Sequence, residues 1–264
     1  MSQSPDAMPP AQDMPALARA LEAALRLRVS PIVMKRLETV AMLDAIPRLR
    51  RPSAIHTLDQ VVGQAARMGW TVGVTASDLV GPQCRAVVGL APADEAWRSG
   101  QELAGVWFAT SEDARRHQAS MHCAPHGQHE ALVVSPLAAG RVLDPDIVLF
   151  YATPGAMMHF INGLQWSGYR RFDWSVVGES SCADSWGRAL STREPSLSIP
   201  CFAERRYGGV LDEELLMALT PQDAWKALTG IQALARNGLR YPIAPYGLQQ
   251  DARAGMGASY EKLS

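Results

Sequence analysis

Cys182 and Cys201 stand 19 residues apart in the stretch Trp174 to Gly209, which gathers more reactive groups than any other part of this 264-residue chain. Glu179 precedes the first cysteine and Asp184 follows it; Arg205 and Arg206 follow the second. A third thiol, Cys84, lies 98 residues upstream of Cys182. Thiolates are soft ligands, suited to zinc or an iron–sulfur cluster. Three cysteine ligands leave one coordination position open for a substrate and for Lewis-acid chemistry. The spacing matches no compact Cys-x-x-Cys knuckle, so this reading rests on where the cysteines fall. Two others stand beside it: one catalytic thiol, with Cys182 as nucleophile, or small buried hydrophobes, the commonest fate of a free cysteine.

Around the thiols, Glu179 and Asp184 could do proton work. Arg205 and Arg206 could clamp a carboxylate or phosphate, and Lys35, set among apolar residues, could join them. Taken singly, each of these charges also fits a surface role. A second group, His117, His122, Cys123, His126 and His129, falls within thirteen residues. It contains half of a zinc-like pattern and lacks the other half. Arg48, Arg50 and Arg51 lie in a Pro-rich loop and could meet an anion; a solvated basic loop is the simpler account.

Those residues need elements to place them. Leu17, Leu21 and Leu25 mark one face of a helix from Ala16. Residues 32–37, 70–75, 130–136, 147–152, 171–177 and 197–200 read as strands. Thr57 caps a helix that Gly69 stops. Residues 84–91, 111–120, 154–166, 182–190 and 221–236 read as helices, and 212–219 is ambiguous. Each of Cys84, Cys182 and Cys201 comes just after a strand candidate. If those strands run parallel, the three thiols share the rim where open α/β sheets bind ligands.

The bulk numbers set the class. Hydrophobic residues make up 47% and charged residues 19%, so a core is expected. The net charge of −1 gives no footing for nucleic acid or an anionic membrane. The expectation is one α/β domain, a mixed sheet with helices packed around it, over residues 16–250. A disordered lead-in occupies 1–15 and an irregular tail 251–264. No export signal or spanning run is read, so the expected location is the cytoplasm, with free or metal-bound thiols. A homo-oligomer is left open.

Several pieces carry a resemblance: IVMKRL around Lys35, the loop ending in Cys84 with AVVGLA, ALVVSPL, DPDIVLFYATP, GESSCADSWG, and SLSIPCFAERRYGG followed by DEEL. In these the chain resembles the uncharacterised bacterial and archaeal proteins grouped as domain of unknown function 169. The resemblance covers about Pro31 to Leu219. It implies cysteine at the positions of Cys84, Cys182 and Cys201, and implies no settled activity. The family often has Cys-Pro-Gly-Gly in the first loop, where this chain has Gly81-Pro82-Gln83-Cys84. It often has a further cysteine opening the second helix, where this chain has His56 and Asp59. That leaves a three-cysteine site with His56 or Asp59 nearby. The leading expectation is therefore a metal or iron–sulfur centre on Cys84, Cys182 and Cys201. Its open position would serve a small anionic substrate in lyase, hydratase or redox chemistry. The rivals are a metal-free thiol enzyme using Cys182 and a non-enzymatic small-molecule-binding or assembly subunit.

Overall fold

Six short strands pair into one sheet in the computed structural model of the protein, which describes residues 13–251. Most of the expected lead-in and tail lies outside those residues. The strands are β1 (Ile32–Leu37), β2 (Val72–Thr75), β3 (Ala131–Pro136), β4 (Ile147–Ala152), β5 (Ser196–Ser198) and β6 (Leu215–Leu219), in the spatial order β2-β3-β1-β4-β6-β5. The helices are α1 (Met14–Leu25), α2 (Leu58–Met68), α3 (Pro82–Val87), α4 (Glu95–Ser99), α5 (Ser111–Ala119), α6 (Pro154–Gln165), α7 (Arg188–Thr192), α8 (Phe202–Gly208) and α9 (Pro221–Arg236). A π-helical turn, Ala183–Gly187, runs straight into α7.

The α/β class holds, and the strand pairings are antiparallel throughout. Parallel contact among the described residues is confined to isolated bridges such as Arg50 with Val72. A rim built from parallel strand ends therefore does not bring the thiols together. The segment 171–177, expected as a strand, joins no ladder. Side chains hold it instead: Phe172 and Trp174 stack with centroids 5.4 Å apart, and Trp174 Nε1 donates to the Pro195 carbonyl at 2.9 Å.

Period-2 alternation sends side chains to two faces of the sheet. Val33, Leu37, Val133, Phe150, Met217 and Leu219 meet α1, α6 and α9. On that side Gly163 and Gly230 let two helices touch; a Cβ on Gly230 would stand 2.1 Å from the Gly163 carbonyl oxygen. Ile32, Met34, Val74, Leu132, Leu149 and Tyr151 face the other way, toward α2, Cys182 and Trp186. This second layer is assembled from short helices and loops, and it carries the three cysteines. Among the described residues no helix is long and apolar enough to cross a membrane.

Candidate functional site

The local chemistry starts with caps. Thr57 and Gln60 form a reciprocal capping box that fixes the start of α2 and sets Asp59 in its first turn. Cys201 caps α8 in the same way: its sulfur accepts from the Glu204 amide, and the Glu204 carboxylate accepts from the Cys201 N–H at 3.1 Å. Ser181 ties the upstream loop in. Its hydroxyl accepts from the Cys201 N–H at 2.8 Å and donates to the Glu204 carboxylate. Cys182 directly follows. Ser180, on the other side of Ser181, holds φ at +56°, an uncommon conformation for a side chain other than glycine. The π-turn after Cys182 is also a rare element, one that recurs at functional sites.

Glycine contacts bring the two capped helices together. A Cβ on Gly63 would stand 2.7 Å from the Gly208 carbonyl oxygen, and one on Gly208 would stand 3.0 Å from the Asp59 carbonyl. With no side chains at these points, α8 lies on α2, and Glu204 faces the same interior as Asp59.

The result is one cavity of about 110 Å³. Cys84, Cys182 and Cys201 line it together with Asp59 and Glu179. Cys84 Sγ and Cys182 Sγ lie 3.8 Å apart. Cys182 and Cys201 are buried and Cys84 is half-buried. No Lys, Arg or His is among the residues that line this cavity. The nearby Arg67 is engaged with Glu214 at 2.7 Å.

The electrostatics follow from that composition. Burial pushes the Asp59 carboxyl up to about 6 and the Glu204 carboxyl up to about 7; the neighbouring Glu179 adds to the rise at Asp59, and Asp59 adds to the rise at Glu204. Burial also raises Glu179. The contact with Cys84, then burial, raises the Cys182 thiol well above its usual range. Burial, reinforced by Glu204, pushes Cys201 up to about 12. For Cys84 the hydrogen bond with Cys182 acts downward, but burial and the neighbouring carboxylates leave it raised. Asp59 Oδ1 and Glu204 Oε1 are buried without a hydrogen-bond partner. Buried carboxylate oxygens in that state are costly unless a proton or a cation joins them.

The other expected site residues lie elsewhere. Asp184 is buried in the π-turn and does not line the cavity. Arg205 turns its guanidinium to the Pro200 and Leu211 carbonyls and to Asp212. Arg206 is exposed on α8. Lys35 belongs to the opposite sheet face by alternation from Ile32 and Met34, and donates to the Leu143 carbonyl at 2.6 Å. The His117 ring packs tilted against Phe108, with centroids 5.0 Å apart, and the His117–His129 run forms no ligand group. Among the described residues, no three or more His, Cys, Asp or Glu side chains are already gathered as a metal site. Glu204 and Ser181 belong to the site and carry no sequence expectation. The Cys201-x-x-Glu204 spacing, that of a capping box, was the signal that could have found Glu204.

Comparison with known proteins returns one family and one curated relative. The family described as DUF169, Uncharacterised ArCR, matches residues 20–229. An uncharacterized protein of Methanocaldococcus jannaschii, MJ0308, is 26% identical over 93 residues, which are 35% of this chain and 40% of that protein. The chain thus aligns with less than half the length of that relative. No solved structure matches.

Proposed function

The chain belongs to the DUF169 family of uncharacterised proteins, and on that premise we propose that its thiol-lined cavity holds a thiophilic divalent metal ion. Cys84 and Cys182 would be the first two ligands, with Cys201 and Asp59 completing the set. One observation carries the reading: three thiols and two carboxylates share a cavity with no basic side chain, and one buried carboxylate oxygen there lacks any partner. A cation supplies the missing positive charge and binds the thiols as thiolates.

The donor set favours a single ion over a cluster. Two thiolates ~2.3 Å from a tetrahedral zinc stand about 3.8 Å from each other, the separation of the Cys84 and Cys182 sulfurs. A cubane cluster holds its cysteines on separate irons and therefore further apart. Asp59 occupies the region where the family often has a further cysteine, which suits it as the fourth donor. A bound ion of this kind supplies Lewis acidity; Glu179, half-exposed at the edge, could exchange a proton with whatever reaches it. An anionic substrate held by Arg205, Arg206 or Lys35 gains no support from the residues around the cavity. Four free cysteines accord with a reducing compartment such as the cytoplasm.

Cobalt(II) titration of protein purified without oxygen tests the proposal. One thiolate-to-cobalt absorption band per chain is expected. It disappears in Cys84→Ser and Cys182→Ser and persists in Cys123→Ser, whose thiol lies outside the cavity. Folded wild-type protein that gives no band at saturating cobalt, and retains no zinc, overturns the reading.

A further inference from the structure

A groove on the far side of the α2 N-terminus is the second place where chemistry is concentrated. Its volume is about 350 Å³, and Arg50, Arg51, Ser53, His56, Gln64 and Trp70 line it. That volume lies within the range of small-molecule sites. The charged side chains of the lining, Arg50 and Arg51, are both basic, and no carboxylate is among the lining residues. The composition is the reverse of the thiol cavity.

The arginines are held in place. Arg50 is zipped to the edge of the sheet: its N–H donates to the Thr71 carbonyl at 2.8 Å, and its carbonyl accepts from the Gly73 N–H at 3.0 Å. Its guanidinium lies over the Trp70 indole, 4.3 Å from the ring centroid, and among the described residues it has no carboxylate partner. Stacking uses the face of the guanidinium and leaves its N–H edge available for a bidentate contact. Arg51 is steadied by Asp78 at 2.6 Å. His56 is fixed at both ends of its residue: its N–H donates to the Asp78 carbonyl at 3.0 Å, and Nδ1 contacts the Ala54 carbonyl at 2.7 Å. Gln64 projects from a capped helix. An arginine stacked on an indole and free of a carboxylate partner, a second arginine paired with Asp78, and an amide thus surround one space that no carboxylate lines.

We infer that this groove binds a small ligand bearing two or more oxyanion groups, gripped by Arg50 with Arg51 and Gln64 beside it. A phosphorylated metabolite and a polycarboxylate share that chemistry. The inference does not depend on a metal in the thiol cavity.

Calorimetric titration of the full-length protein with inorganic pyrophosphate, and separately with tricarballylate, tests it and tells the two sources apart. Saturable binding of one or both is expected, weakening as salt rises from ~20 mM to ~200 mM. Arg50→Gln should weaken it by roughly tenfold or more, the loss of one charge-assisted bidentate contact. Arg50 is exposed, so this variant should fold, and its circular dichroism is checked. Arg48→Gln, in the same loop but outside the groove, should change nothing, and neither should Cys84→Ser. Failure of both probes to bind overturns the inference. So does equal weakening by Arg48→Gln, which marks unspecific attraction to a basic loop, or loss of binding in Cys84→Ser, which moves the anion to the thiol cavity.

Discussion

At the residue scale, Asp59 and Cys182 separate the readings of the thiol cavity. Asp59 is buried with an unpartnered oxygen and has its carboxyl pushed up to about 6. A carboxyl raised in the folded state favours folding while protonated, and that advantage fades as pH climbs from its unfolded value toward 6. Metal-free protein should therefore lose stability between roughly pH 4 and pH 7, the window set by Asp59 and Glu204. Asp59→Asn should flatten that slope and stabilise the metal-free protein at pH 8 by about 1–3 kcal/mol. The same change should weaken cobalt binding. Chemical denaturation across pH in the presence of chelator reads the first effect; an unchanged slope in the variant would show that Asp59 does not carry it. For Cys182, burial and its neighbours hold the thiol well above the usual range. Iodoacetamide at pH 7 should therefore label half-buried Cys123 faster than Cys182. Faster labelling of Cys182 would instead favour the catalytic-thiol alternative.

At the scale of elements, the site depends on how closely α8 lies on α2. Alanine is ordinarily the better helix residue by about 1 kcal/mol. At Gly63 the clash outweighs that gain, because the new Cβ would meet backbone at 2.7 Å. Gly63→Ala should cost about 1–3 kcal/mol and also weaken cobalt binding, since Asp59 and Glu204 move apart. Gly230→Ala, at the α6–α9 contact on the opposite face, should cost stability as well but leave the cobalt affinity of the folded protein unchanged. Urea unfolding together with cobalt titration of both variants distinguishes the two layers. Equal loss of metal binding in both would mean that the α2–α8 contact has no special part in the site. Much of this scale was legible in the sequence. Leu17, Leu21 and Leu25 spell α1, and the continuous run at 147–152 spells the buried β4. Residues 171–177 were not legible as they stand, because alternation reports which side chains are buried and not whether the backbone finds a ladder partner.

At the scale of the whole molecule, the cavity joins segments from α2, from α3 and from both ends of the stretch first noticed in the sequence. A ligand there links four parts of the chain, so its binding should register as global stability. Zinc at about 100 times its dissociation constant should add about 2.7 kcal/mol to unfolding. Thermal unfolding should show a raised midpoint that chelator reverses and that Cys84→Ser abolishes. A midpoint indifferent to zinc would argue against a site on the folded state. The sequence by itself determined the family, the α/β class and the three cysteines worth following, because residue types and local periodicity are properties of adjacent positions. The family resemblance also pointed to His56 and Asp59; of the two, Asp59 lines the thiol cavity and His56 lines the basic groove. Only the tertiary structure decided that Cys84 meets Cys182, that Glu204 faces inward while Arg205 and Arg206 turn away, and that Lys35 lies on the other face. Those outcomes depend on strand order, on an antiparallel sheet and on glycine contacts between helices. Each is a relation between residues far apart in the chain, and burial, which sets the charge of the site, exists only once they have packed.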